Sequence, residues 1–225
     1  MKKGIIYFSD GRPEARILEL CQRQLKQSNL PIVNCSLVLM TFADKNIVLN
    51  LPRGYETYFR QIITALESSD ADIVFFCEHD VLYPPSHFEF TPPTNDKFYY
   101  NQNWIKIDWP YTKAVSWDAD QVSGLVCDRN LALEWYRNKL QEYLNSPIKT
   151  IDKNLSLGDR KWDRKFEPGS GTDQAVTWRS KEPYVDIRQD KTVTKSKWSL
   201  DDFRDKTTAK SFRQTNLPDW AKELV

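Results

Sequence analysis

The chain has 225 residues, 40% of them hydrophobic and 28% charged, with a formal net charge of +1. That length buries one substantial core, and so even a charge balance gives no field that by itself implies nucleic acid or a membrane surface. No apolar run approaches the roughly 18 residues of a spanning helix, and Asp10, Arg12, Glu14 and Arg16 follow the first apolar stretch where a signal peptide would stay hydrophobic, so the expected compartment is the cytoplasm.

In chain order, Gly4–Phe8 reads as a first buried strand ending in the turn cluster Ser9-Asp10-Gly11. Pro13 suits the first turn of a helix with Ile17, Leu18, Cys21 and Leu25 at helical spacing. Ile32–Phe42 reads as a second strand followed by Asp44, and Arg53-Gly54 leads into a helix through Tyr55, Phe59, Ile62 and Leu66. Asp72–Cys77 is the third strand. This strand–helix alternation predicts a parallel sheet with right-handed crossovers. Beyond Pro84-Pro85 short strands are expected at Phe98–Ile107, at Ala114–Trp117 and at Gln121–Cys127, then an amphipathic helix over Leu131–Leu144. Thr150–Gly171 reads as a polar loop, Thr172-Asp173 as the cap of a helix through Ala175, Val176 and Trp178, and Tyr184–Ile187 as a last strand. The tail from Lys191, with Trp198, Phe203 and Trp220, is expected to wrap the body. Cys21, Cys35, Cys77 and Cys127 form no Cys-x-x-Cys pair and read as buried free thiols.

The most informative segment is Ile73-Val-Phe-Phe-Cys77, an unbroken apolar run that ends on Glu78-His79-Asp80. A strand buried on both faces reads this way, and ligands of open α/β sheets gather at the carboxyl ends of such strands. In extended backbone, residues i and i+2 project to the same side, so both carboxylates can face one point. Like charges converging beside a dry strand repel unless a cation lies between them, and oxygen-only ligands suit Mg²⁺ or Mn²⁺ shared with phosphates. His79 alternates away from the acids and reads as a packing residue, as does His87 among Tyr83, Phe88 and Phe90.

In this setting the chain resembles GT-A-type glycosyltransferases, near the large inverting family-2-like sugar transferases. Glu78-His79-Asp80 stands where that family carries its Asp-x-Asp metal motif. Gln121-Val-Ser-Gly-Leu-Val-Cys-Asp-Arg-Asn130 is similar to its acceptor-side segment, and Gly171-Thr-Asp173-Gln-Ala-Val-Thr-Trp-Arg179 to its acidic residue at a helix start. The resemblance implies an α/β GT-A fold: a Rossmann-like, mostly parallel central sheet flanked by helices, with a short antiparallel or irregular acceptor half. A single domain is expected, with residues 1–100 binding the nucleotide-sugar, 101–190 forming the acceptor half and 191–225 a wrapping tail. The implied activity is metal-dependent transfer of a sugar from a nucleotide-sugar to a hydroxyl acceptor, with inversion.

In that reading Asp80 and Glu78 hold Mn²⁺ or Mg²⁺, Ser9, Asp10, Asp44 and Arg53 join Glu78 in binding the donor, and Asp173, with Glu167 second, is the base that deprotonates the acceptor. Trp104, Trp109 and Trp117 are candidates to line an acceptor cleft. The family's late metal-binding histidine has no counterpart, Gln189 and Asp190 standing in that region. The basic run Arg160–Lys165, which carries Trp162, can meet phosphates, so a hydroxymethylated base in DNA stands beside carbohydrate as an acceptor. The competing reading from another class is a non-catalytic sugar- or nucleic-acid-binding module. Structural roles stand beside each assignment: Asp173 as a helix cap, Ser9, Asp10 and Asp44 as turn residues, Arg53 as a surface charge and the tryptophans as core.

Overall fold

The computed structural model describes residues 1–145, 167–169, 171–190, 197–203 and 209–224. Strand β1 (Lys3–Ser9) leads through helix α1 (Ala15–Lys26) to β2 (Ile32–Ser36) and β3 (Lys45–Val48). Helix α2 (Tyr55–Glu67) precedes β4 (Ile73–Glu78), then come the short β5 (Val81–Leu82) and α3 (Pro85–Glu89). Strands β6 (Phe98–Asn101), β7 (Trp104–Asp108), β8 (Ala114–Ser116) and β9 (Leu125–Asp128) follow, then α4 (Arg129–Asn145). Strands β10 (Ala175–Trp178), β11 (Tyr184–Arg188) and β12 (Arg213–Thr215) and helix α5 (Asp219–Lys222) complete the described elements.

Two sheets result. The central one has the order β10-β6-β9-β4-β1-β2-β3, and the second β12-β8-β7-β11-β5. In the central sheet β1 pairs in parallel with both β2 and β4, and β9 alone among its strands runs antiparallel to its neighbours. The expected mostly parallel α/β sheet with an antiparallel part is therefore present. Strands β9 and β10 come from beyond residue 100, so both halves read from the sequence build one central sheet.

Period-two alternation decides the layers. Ile6, Phe8, Val74 and Phe76 face α2 and α4, meeting Phe59, Ile62, Tyr136 and Leu140. Ile5, Tyr7, Ile73, Phe75 and Cys77 face the other way, toward Trp104, Trp117 and Tyr184 of the second sheet. The far side of that second sheet, Ile105, Ile107, Val185 and Ile187, is covered by Ile17, Leu20 and Cys21 of α1 and by Leu217 and Ala221 of the tail. All four cysteines are free and buried, as expected. Among the described tail residues, β12 pairs with β8, and Trp198, Phe203 and Trp220 pack on the cores. Among the described residues no helix is long and apolar enough to cross a membrane.

Three expectations change. The strand expected over Ile32–Phe42 stops at Ser36, where Ser36 Oγ donates to the Val38 carbonyl at 2.7 Å and turns the chain. The stretch Phe98–Ile107 is divided at Gln102-Asn103 between the two sheets. Buried Asn101 locks that junction: its Oδ1 accepts from the Asn103 and Ser180 amides and its Nδ2 donates to Ser180 Oγ at 2.8 Å. The helix expected after Thr172-Asp173 is strand β10, paired in parallel with β6. Gly169 and Gly171 take φ of 71° and 77°, and Thr172 Oγ1 donates to the Gly169 carbonyl, so this segment turns tightly into a strand instead of capping a helix. The loop expected over Thr150–Gly171 lies largely outside the described residues.

His87 has the packing role read from its neighbours. It is fully buried among Phe75, Tyr83, Phe88, Trp178 and Tyr184, and its Nδ1 meets Asn101 Nδ2 at 3.0 Å. Burial pushes its pKa from 6.5 down to about 3. As pH falls through 6.5 the unfolded chain takes up a proton on this ring and the folded chain does not, so acid favours unfolding down to about pH 3, while above pH 7 the effect is absent. Denaturant titrations should show His87 contributing a loss of about 3 kcal/mol between pH 7 and pH 4. A His87→Gln chain should lose correspondingly less over that interval; an equal loss would exclude the ring as the source.

Candidate active site at the seam between the two sheets

The carboxyl edge of the central sheet brings Ser9-Asp10 and Glu78-His79-Asp80 together, because β1 and β4 are adjacent and parallel with Phe8 opposite Glu78. Ser9 Oγ and His79 Nδ1 share a hydrogen bond at 2.8 Å, and the Gly11 amide donates to the same Oγ at 3.0 Å. His79 stands 4.0 Å from Asp10 Oδ1 through Nδ1 and 4.0 Å from Asp80 Oδ2 through Nε2. It therefore bridges the two acidic turns, where the sequence reading made it a packing residue. Arg53, just ahead of α2, donates from Nε to Asp10 Oδ2 at 2.6 Å, and the Arg12 amide donates to Asp10 Oδ1 at 3.2 Å. Burial works against the Asp10 carboxylate, but His79, the Arg12 amide and Arg53 together hold its pKa below the usual value.

The second sheet closes the seam. Alternation in Trp104-Ile-Lys-Ile-Asp108 and Tyr184-Val-Asp-Ile-Arg188 places the aliphatic residues on one face and Lys106, Asp186 and Arg188 on the other, with Asp186 opposite Lys106. Asp186 also lies opposite Val81, directly after Asp80, and the Ile187 amide donates to the Asp80 carbonyl at 2.8 Å. Asp186 Oδ2 accepts from Arg188 Nη2 at 2.8 Å and lies 3.5 Å from Lys106 Nζ. Asp80, Lys106 and Asp186 are buried at 7%, 4% and 3% exposure, so their charges interact with little screening by water. Lys106 Nζ sits 5.5 Å from the Trp104 ring centre and 4.7 Å from that of Trp117.

The crowding shows in the ionisation. Burial, then the charges of Asp80 and Asp186, push the Glu78 carboxyl up to about 8. Burial also raises Asp80, with Asp186 adding to it and His79 and Arg188 opposing. Lys106 falls to about 7 through burial and the neighbouring Arg188, against the pull of Asp186. Asp186, Arg188 and Lys106 escaped the sequence reading. Their signal was present as charges alternating with β-branched residues in two short strands, where one buried face is normally apolar throughout.

Several predicted residues lie elsewhere. Asp44 is at the opposite edge, where its Oδ2 accepts from the Ile32 amide at 2.8 Å and fastens the start of β2 to that of β3. Asp173 is also at that edge. Val176, Tyr99, Val126 and Phe75 share one level, so Asp173, three residues before Val176, is level with the amino end of β4, and its side chain is 94% exposed. Glu167 adjoins Pro168, whose carbonyl accepts from Tyr100 Oη at 2.6 Å over β6. Trp104 and Trp117 are buried core partners, packed edge to face at 4.6 Å, and so present no platform to a sugar. Trp109 lies beneath Arg16, 5.2 Å from its guanidinium. Gln189 accepts from the Glu14 amide and Asp190 is exposed. The basic run Arg160–Lys165 lies outside the described residues.

Among the described residues no three His, Cys, Asp or Glu side chains converge to hold a metal ion. The donor set is instead a pair of carboxylates. Such a pair suits Mg²⁺ or Mn²⁺, which commonly take one or two carboxylates and complete their shell with water and phosphate oxygens.

No family model and no curated protein matches the sequence. Among solved structures the chain is similar to a glycosyltransferase involved in glycosylation of the major capsid of PBCV-1, at 11% identity over 81% of this chain and 92% of that one, with a TM-score of 0.48. It is similar to the glycosyltransferase GlyE of Streptococcus pneumoniae TIGR4 at 12% identity and a TM-score of 0.48, over 79% of this chain and 45% of that longer one. A third similar structure is the galactosyltransferase LgtC in complex with donor and acceptor sugar analogs, at 11% identity, 99% and 100% coverage and a TM-score of 0.41.

Proposed function

We propose that the chain is a glycosyltransferase that moves a sugar from a nucleotide-sugar donor to a hydroxyl acceptor, with a divalent cation held by Asp80 and Glu78. The observation that carries this reading is the convergence of Ser9-Asp10, Arg53, half-buried Glu78 and buried Asp80 on one edge of a mostly parallel sheet. Crevices at carboxyl ends of such strands are where nucleotides bind. Mn²⁺ or Mg²⁺ at the pair would act as a Lewis acid toward the departing diphosphate. Asp10 fixes Arg53 through Nε, which orients a planar guanidinium for phosphate or base. Ser9 and His79 hold the two turns in register from below.

For transfer with inversion, the acceptor hydroxyl needs a carboxylate base on this same edge. Asp120 has the position that Asp173 lacks. It precedes the turn into β9, and its Oδ1 accepts from Gln102 Nε2 at 3.1 Å. Gln102 lies three residues past Tyr99, level with Glu78 and two strands away, a separation of about 10 Å at the usual strand spacing. Asp118 is engaged elsewhere, pairing with Arg179 at 2.6 Å.

A thermal-shift panel of sugar nucleotides with and without Mn²⁺ should show one donor raising the melting temperature only when Mn²⁺ is present. Asp80→Ala should keep the fold and lose that shift, and an unchanged shift would move the cation site elsewhere. Asp120→Asn should retain donor binding and lose about 10²-fold or more of the transfer rate, whereas Asp173→Asn should transfer at the native rate. The reverse pattern would return the base to Asp173.

A further inference from the structure

Asp186, opposite both Val81 and Lys106, pairs with Lys106 at 3.5 Å and Arg188 at 2.8 Å, and the Ile187 amide bonds the Asp80 carbonyl, so these two cations and Asp186 adjoin Glu78 and Asp80 across the seam. Lys106 is also repelled by Lys197, in the tail segment that packs on Trp117, which adds a third positive charge nearby. Arg188 lies among all three acids, and its Nε is buried without a hydrogen-bond partner. The cations are fixed in place: Lys106 by two tryptophan rings and Asp186, Arg188 by its bond to Asp186. All three residues are strand-borne, Lys106 and Asp186 are buried and Arg188 is half-buried with its Nε enclosed, so their charges stay at the seam.

We infer that the strand-borne Lys106–Asp186–Arg188 trio is a built-in counter-charge for the Glu78–Asp80 pair and makes divalent cation binding conditional on a bound diphosphate. This inference rests on the proposed cation site. A bare divalent ion enters a seam whose acids are already largely balanced and meets fixed positive charge close by. An ion accompanied by the diphosphate of a nucleotide-sugar enters nearly neutral, with inorganic pyrophosphate it enters net negative, and in both cases the diphosphate finds the same cations favourable. Cation and diphosphate therefore bind together, each strengthening the other by the same factor.

The test measures Mn²⁺ binding to the full chain by electron paramagnetic resonance, alone and with inorganic pyrophosphate. The free-ion signal of pyrophosphate controls is subtracted. The native chain should bind Mn²⁺ at least about tenfold more tightly when pyrophosphate is present. Arg188→Met should tighten binding of Mn²⁺ alone by about tenfold, because a positive charge beside the ion is gone, and should weaken the pyrophosphate effect. Asp186→Asn should do the opposite to Mn²⁺ alone, and Arg188→Lys should stay near native. General damage to the fold would weaken binding in every variant, so opposite signs separate counter-charge from structural support; if Arg188→Met fails to fold, Lys106→Met, which removes the other cation, should tighten binding of Mn²⁺ alone instead. Equal native affinity with and without pyrophosphate, or no tightening in a folded Arg188→Met chain, overturns the inference while leaving the cation site intact. Absence of Mn²⁺ binding under both conditions overturns the cation site itself, and the inference with it.

Discussion

Burying carboxylates costs several kcal/mol each unless an opposite charge or hydrogen bonds compensate, and this chain buries Asp80 and Asp186 at one seam with Glu78 half-buried beside them. Strand β4 drives the arrangement. Its five apolar residues are withdrawn from water on both faces, and the backbone then delivers Glu78 and Asp80 into the space beneath the second sheet. That sheet must answer with cations, and it does so from Lys106 and Arg188 while adding Asp186 between them. The folding of the second sheet and the charge state of the edge are thus one problem, since neither half of the seam is electrostatically tenable alone.

The two sheets are also mechanically joined. Asn101 ties the crossing from β6 to β7 to the Ser180 segment that leads into β11, with His87 beside it in an aromatic cluster. Both of the strands that carry the second sheet's charges therefore leave the same buried polar knot. Such a knot, satisfied at most of its donors and acceptors, specifies one relative placement of the sheets, which fixes Lys106 and Arg188 against the acid pair.

Strong local signals were legible. The continuous run Ile73–Cys77 and the alternation of strands and helices as far as residue 80 specify the parallel sheet, and the spacing of Glu78 and Asp80 specifies where two acids meet. Ser9, Asp10 and Arg53 follow from the same logic, because they too lie past strand ends or at a helix start. What escaped depended on long-range pairing. Four residues, Ala175–Trp178, cannot reveal a helical or a strand period by themselves, and only the pairing with β6 makes them a strand and removes Asp173 from the edge. Asp44 shares that fate, because a short parallel return brings it back to the start of β2. Trp104 and Trp117 follow the acid pair in sequence but pack behind it. Asp186 and Arg188 come from a strand about a hundred residues beyond Asp80, and the antiparallel pairing of β11 with β5 that unites them leaves no local trace.

The four cysteines are distributed one way that has experimental use. Cys35 and Cys127 lie in the layer under α2 and α4, Cys77 in the layer between the sheets, and Cys21 in the layer beneath the tail. Burial suppresses the thiolate of each, so an alkylating reagent meets a reactive sulfur only after that layer parts. Each compartment of the interior thus carries its own chemical clock, and the order in which the sulfurs are labelled traces the sequence in which the molecule comes apart.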